Sequence, residues 1–330
     1  MRRIVLTVVI AMVAAGQLAA QGRPQPPRLV ATYSIVARDP QTGELGVAVQ
    51  SHWFSVGSIV TWAEAGVGAV ATQSFVEPAY GPKGLVMLRN GIAAPQALEA
   101  LVAQDPGRDV RQVAFIDAQG RVAAYTGKKC IAAAGHHVGQ NYSAQANLMD
   151  KSTVWEAMAR AFEAAQGDLT EKLLAALEAA EREGGDIRGK QSAAILVVKG
   201  QSSGKPWVDR IVDLRVEDHP QPLVELRRLV GVARAYNHMN AGDACAEKKD
   251  WECARREYGA AEKLLPQMVE IVFWHAVTMV SAGQVEEALP LFRKVFAREP
   301  KWRELVGRLP ASDLLPNDPQ LIARIQALRR

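Results

Sequence analysis

Residues 31–74 read ATYSIVARDPQTGELGVAVQSHWFSVGSIVTWAEAGVGAVATQS, and this stretch decides the fold. Alternating runs rich in Val, Ile, Thr and Tyr are punctuated by Asp39-Pro40-Gln41-Thr42-Gly43 and by Gly66 and Gly68. Alternation of period two gives each strand two different faces, while Pro and Gly supply the backbone angles of tight turns. The stretch therefore predicts a hairpin followed by a third strand, with the hydroxyl residue Thr32 at the head of the first.

Downstream, Gly91 to Gln104 reads as a helix with Leu98 and Leu101 on one face, stopped by Pro106-Gly107. VRQVAFID and RVAAYTG are two strands around the Asp117 to Gly120 turn, and Tyr142 to Met149 is another. Helices follow over Thr153 to Gln166 and Leu169 to Glu183, the second carrying a Leu173, Leu174, Leu177 stripe and closed by Gly184-Gly185. Ser192 to Lys199 and Trp207 to Val216 are the last strands. Strands, strands, helices, strands is neither βαβ nor all-β. It predicts an α+β class with two antiparallel sheets face to face and helices outside.

Glu217 to Pro222 (EDHPQP) reads as an interdomain linker, and residues 223–330 are helical with an internal period. Gly242, Ala254, Tyr258, Ala261 and Pro266 recur 34 residues later as Ala276, Ala288, Phe292, Val295 and Pro300. These are the small, small, aromatic, small and proline positions of a tetratricopeptide repeat, so a tetratricopeptide-like all-α domain is expected. Its concave face would take a protein or peptide partner.

Composition sets outer bounds. The 330 residues are 48% hydrophobic and 22% charged, enough for a sizeable core and about two domains. Arg2 and Arg3 precede an apolar run from Ile4 to Ala15 and a small-residue stretch to Ala20, which predicts a secretory signal peptide over residues 1–20. A run of twelve residues is too short for a membrane span of ~20, so no integral span is expected after its removal. The expected location is periplasmic or secreted through Sec-type export. Residues 21–30, with three prolines, read as a linker, and residues 31–216 as the sandwich domain. The formal charge of +4 falls to +2 without Arg2 and Arg3 (4 − 2), and no basic stripe interleaves with aromatics, so nucleic acid is excluded as a partner. A homo-oligomer is compatible with these features. Of the three cysteines, Cys245 and Cys253 are close enough in sequence to bridge across a helical turn in an oxidising compartment, and two free thiols are the alternative.

The blocks TYSIVARDPQTGELGVAVQS, AGVGAVATQS, YGPKGL, RQVAFIDAQGRVAAYTGKKC, AGHHVGQNYSAQANLM and GGDIRGKQSAAILVV, in this order, resemble the DUF1028 family, which is grouped with the N-terminal-nucleophile (Ntn) hydrolases. The resemblance implies a four-layer αββα Ntn-hydrolase-like sandwich. It also implies Thr32 as a nucleophile, once cleavage between Ala31 and Thr32 makes it the first residue. A free α-amine, with a pKa of about 7.7–8.0, could then serve as the base for its own hydroxyl. Ser34 shares a face with Thr32. The same stretch is similar to proteasome β subunits, which carry a second-strand Ala-Val-Asp-Ser and a third-strand lysine. Here Ala48-Val49-Gln50-Ser51 replaces the acid with Gln50, and no lysine occurs between Gln50 and Lys83. The expected neighbours are therefore neutral: Gln50, Ser51, Thr72 and Gln73.

Asn147 and Gln145 are candidate oxyanion donors, and strand-end capping is their ordinary alternative. Asp186, Arg188, Gln191 and Ser192 in GGDIRGKQSAA could converge on Thr32 or simply fix a loop. Gly135-His136-His137-Val138-Gly139 reads as a loop whose adjacent histidines point to opposite sides. That geometry argues against a shared metal, and neither HExxH nor CxxC occurs, so no metal and no cofactor is expected. His136 is the acid/base candidate. Two readings stay open: an exported amidohydrolase acting on a small amide, acyl-amino acid or peptide, and a silent sandwich whose helical domain recruits envelope partners.

Overall fold

The computed structural model of the protein describes residues 28–30 and 32–329. The signal-peptide expectation, residues 21–27 of the expected linker, and Ala31 lie outside the described residues. The chain enters the fold at a short strand, β1 (Arg28–Val30), ahead of the expected first strand. The hairpin follows as β2 (Thr32–Arg38) and β3 (Leu45–Ser51), and then come helix α1 (Gly57–Val60), β4 (Thr61–Glu64) and β5 (Gly68–Val76). Helices α2 (Tyr80–Arg89) and α3 (Ala94–Gln104) lead to β6 (Arg111–Asp117), β7 (Val122–Thr126), β8 (Gly135–Gly139) and β9 (Tyr142–Asn147). Next are α4 (Val154–Ala164), α5 (Leu169–Arg182), β10 (Ser192–Val198) and β11 (Arg210–Val216).

Every ladder is antiparallel. Strands β1-β5-β6-β7 form one sheet, with β4 also on β5, and β11-β10-β3-β2-β9-β8 form the other. Strand alternation sorts the apolar residues into layers. Val36, Val47, Val49, Ala69, Ala71, Ala114 and Ile116 fill the space between the sheets. Tyr33, Ile35, Ala48 and Ala144 point the other way, onto Met158, Leu173 and Leu177 of α4 and α5. Val70, Val113 and Phe115 meet Leu85, Leu88 and Leu98 of α2 and α3. Each fully buried side chain of this size contributes roughly 1.5–3 kcal/mol of transfer free energy. The result is mixed α/β, with helices outside two stacked antiparallel sheets.

Besides β1, which takes up the end of the expected linker, and the short helix α1, two longer elements depart from the sequence reading. Gly135–Gly139, expected as a loop, is β8, paired residue for residue with β9. Helix α2 was not expected, because YGPKGLVMLR carries two glycines and a proline. Tertiary packing outweighs that poor propensity. A Cβ at Gly84 would come within 2.4 Å of the Phe115 ring, and one at Gly81 within 2.3 Å of Trp62. The small residues let the helix lie directly on the sheet.

The C-terminal region is helical. Helix α6 (Pro222–Glu247) is followed by α7 (Trp251–Leu264), α8 (Val269–Ser281), α9 (Val285–Arg298), α10 (Trp302–Val306) and α11 (Pro319–Gln326). The repeat positions Ala254, Tyr258, Ala261, Ala276, Ala288, Phe292 and Val295 are all buried. The first half of α6 buries Leu223, Leu226 and Val230 in the core under the six-stranded sheet. Its second half packs Ala235 and Met239 against Tyr258 and Ile271. Arg227 and Arg234 fasten it to α5 through Glu171 (3.0 Å from Arg227) and Asp168 (2.7 Å from Arg234). Between β11 and α6, Glu217 accepts from the Ser55 N–H (3.0 Å) and His219 donates to the Gln191 carbonyl (2.8 Å). A Cys245–Cys253 disulfide joins the end of α6 to the start of α7.

Candidate active site

At the Thr32 end of the inter-sheet space the apolar filling gives way to hydroxyls and amides. Alternation along β2 turns Thr32 and Ser34 to the same side as Val36, and along β9 it turns Ser143, Gln145 and Asn147 inward. Thr32 is opposite Ser51 on one neighbouring strand and Asn147 on the other, and Ser34 is opposite Gln145. Gln73 and Gln112 face them from the other sheet, paired with each other. All of these side chains are buried.

They form a continuous network. Gln73 Nε2 donates to the Thr32 carbonyl (3.1 Å) and to Gln112 Oε1 (2.7 Å), and Ser34 Oγ donates to Gln73 Oε1 (2.6 Å). Asn147 Nδ2 donates to Gln112 Oε1 (2.9 Å) and approaches the Thr32 carbonyl at 3.5 Å. Gln145 Nε2 donates to Ser34 Oγ (3.2 Å). Gln112 Nε2 reaches Thr126 Oγ1 (2.9 Å) and the Gly135 and Ala146 carbonyls (3.1 and 2.9 Å). Every member named is neutral.

Two features set this end apart from an ordinary core. Ser74 and Leu148, the residues just after Gln73 and Asn147, hold φ of 71° and 59°, a left-handed conformation that costs non-glycine residues about 1–3 kcal/mol. Asn147 Oδ1 and Gln145 Oε1 are buried with no protein partner, each a cost of about 1–3 kcal/mol. A fold tolerates strain and unmet acceptors where a site needs them.

Of the expected site residues, Thr32, Ser34, Ser51, Gln73, Gln145 and Asn147 come together on the inner face. Gln50 does not: it lies opposite Tyr33 and Ala193 on the helix-facing side, its amide buried without a partner. Thr72 also turns away, toward α2, and donates to the Glu77 carbonyl (3.1 Å). The reason is the strand period, because neighbours such as Gln50 and Ser51 cannot share a face. Ser192 is opposite Ser51, and its hydroxyl accepts from the Val56 N–H (3.1 Å) and donates to the Trp53 carbonyl. Asp186 accepts from Arg188 (2.7 Å) and from the His52 N–H (3.1 Å), and Gln191 donates to Asp218 (3.1 Å).

His136 Nδ1 shares a hydrogen bond with Thr126 Oγ1 (2.8 Å), so it joins the network through Thr126 and Gln112. Burial, helped by the neighbouring His137, lowers its pKa and favours the neutral ring. His137 turns the other way, to Glu156 (2.9 Å). Burial raises the pKa of the Cys130 thiol, against a smaller opposing pull from the Ser74 hydroxyl. Among the described residues no group of three or more His, Cys, Asp or Glu is placed to hold a metal ion.

The hub, Gln112, was not singled out by sequence. Its signal was present: in RQVAFID it occupies the face of Ala114 and Ile116, where an amide is out of place in an apolar core. Thr126 is a second omission, at the end of a strand whose role depended on the β8 pairing.

Residues 32–226 match the profile of DUF1028, a family of unknown function. A crystal structure of protein SPO2555 from Silicibacter pomeroyi, described as DUF1028, is 34% identical with a TM-score of 0.55, covering 61% of this chain and 84% of that one. The ancestral β-subunit Anbu from Yersinia bercovieri aligns over 61% of this chain and 93% of its own at 12% identity and a TM-score of 0.29, too distant to carry an argument. No curated protein matches the chain.

Proposed function

Because the chain belongs to the DUF1028 family of unknown function, its own residues must carry the reading, and we propose that it is an exported Ntn-type amidohydrolase with Thr32 as nucleophile. One observation carries it: Thr32 heads a central strand of the six-stranded sheet, with its carbonyl held by Gln73 in a buried neutral network that spans both sheets. The αββα layering is compatible with an Ntn-hydrolase-like sandwich. The buried small and aromatic positions of the C-terminal region support a tetratricopeptide-like domain that docks a protein or peptide partner.

In this reading the bond between Ala31 and Thr32 is cleaved, and the new α-amine takes the proton of the Thr32 hydroxyl as its oxygen attacks an amide carbonyl. The tetrahedral oxyanion is met by amide donors, with Asn147, opposite Thr32 on β9, the candidate, and it collapses to an ester as the α-ammonium gives its proton to the substrate nitrogen, which leaves as a neutral amine. Water then hydrolyses the ester and restores Thr32. The substrate is a small amide, an acyl-amino acid or a peptide. His136 is a positioning group that acts through Thr126 and Gln112.

A second reading, a silent sandwich serving as a scaffold, is favoured by one observation. Before cleavage Thr32 is internal, and the preceding β1 is laddered onto β5 from Ser74 to Val76. Assay of a panel of aminoacyl and N-acyl amides separates the two. Hydrolysis that disappears in Thr32→Ala supports the enzyme, and hydrolysis that survives unchanged removes Thr32 from it.

A further inference from the structure

Away from the sandwich, a cavity of about 500 Å³ lies between α6, α7, α8 and the segment around Asp313 and Leu314. Three aromatic side chains line it, Trp251, Tyr258 and Trp274, together with three carboxylates, Asp243, Glu247 and Asp313. No Lys, Arg or His is among its lining residues.

The aromatic walls are held in place. The Tyr258 ring stacks on His275 at 5.5 Å, and Trp274 packs edge-on against Phe273 at 5.2 Å. The Tyr258 hydroxyl donates to Asp243, which fixes that carboxylate beside the ring. Burial, then the bond to Asp243, raises the Tyr258 pKa and keeps the phenol a donor. Glu247 and Trp251 lie inside the short loop closed by the Cys245–Cys253 disulfide, which joins the α6 wall to the α7 wall.

We propose that this cavity binds an organic cation, an ammonium or guanidinium group on an apolar stem, with the stem between the indole rings and the charge facing Asp243, Glu247 and Asp313. Aromatic faces attract cations through their negative quadrupole, Trp most strongly, and carboxylates add direct charge attraction. An anion would meet three carboxylates and no compensating base. A neutral apolar guest would fill the space but leave the acidic rim unused. The volume exceeds that of one basic side chain, so the stem and adjoining atoms of the ligand are enclosed with it.

The test is titration of the full chain, followed by tryptophan fluorescence and calorimetry, with butylguanidine and with a Gly-Gly-Arg-Gly-Gly peptide capped at both ends. Saturable binding that weakens with added salt is expected. The same peptide with citrulline in place of arginine should bind at least about tenfold more weakly. The double variant Asp243→Asn, Glu247→Gln should lose about five- to tenfold in affinity. It should keep its far-UV dichroism, because Asn still accepts from Tyr258 and Glu247 is exposed. A tighter peptide assigns the cation to a polypeptide partner, and tighter butylguanidine assigns it to a free small-molecule cation. Either supports the site. Equal binding of the citrulline peptide, unchanged affinity in the double variant, or no saturable binding of either cation overturns the proposal.

Discussion

Asn147 faces Thr32 across the β2–β9 ladder, and its side-chain amide donates to Gln112 (2.9 Å) while lying 3.5 Å from the Thr32 carbonyl. The contact to Gln112 is firm and the one to Thr32 is marginal. The Asn147 amide is therefore anchored from the opposite sheet, beside the residue that would react. Donors held in advance by surrounding structure are the ones that stabilise a developing oxyanion most effectively.

Replacement of Asn147 by Ala is expected to lower kcat for amide hydrolysis about 10²–10³-fold while changing KM far less. Steady-state kinetics check this. An equal loss confined to KM would make Asn147 a substrate-binding group instead.

Replacement of Gln112 by Ala removes bonds to Thr126 and two carbonyls and leaves the Gln73 and Asn147 amides without their shared acceptor. The expected destabilisation is about 3 kcal/mol or more, read as a lower urea midpoint with an unchanged slope. A loss below about 1 kcal/mol would mean that the network contributes little to the fold.

The hairpin and most later strands were legible because alternation and turn residues are local signals. Helix α2 was not, since its glycines are explained by Trp62 and Phe115, residues distant in sequence. β8 was hidden for a similar reason: it is a strand by virtue of the β9 edge beside it. In the site, Thr32, Ser34, Ser51, Gln73, Gln145 and Asn147 could be placed from the strands. Gln50 and Thr72 could have been set aside by applying the same alternation strictly. Gln112 required the facing sheet.

The clasp between α5 and α6 should weaken in acid. Burial alone would raise the Glu171 pKa, but hydrogen bonds from Arg227 and Arg234 outweigh it and leave the pKa below the usual carboxylate value. A carboxylate depressed in the folded state adds stability that is fully present above the unfolded pKa of about 4.3, and that is lost as pH falls through the lower folded value. Unfolding free energy is expected to drop between pH 6 and pH 3, and the pair Arg227→Met, Arg234→Met should flatten that slope. The partly exposed pairs are worth at most about 1 kcal/mol each. An unchanged slope in the double variant would remove Glu171 as its source.

Reduction of the Cys245–Cys253 bridge frees a loop with a sequence separation of 8, worth about 2.5 kcal/mol in chain entropy. Thermal unfolding with and without reductant should show an earlier loss of helical signal, and a Cys245→Ser, Cys253→Ser variant should be insensitive to reductant. Identical melting of oxidised and reduced protein would mean that the bridge does not stabilise this region.

The central claim concerns the amino group of Thr32. Intact mass and N-terminal sequencing of the form that hydrolyses amides should give a chain beginning at Thr32. An active form in which Thr32 remains joined to Ala31 would contradict the account.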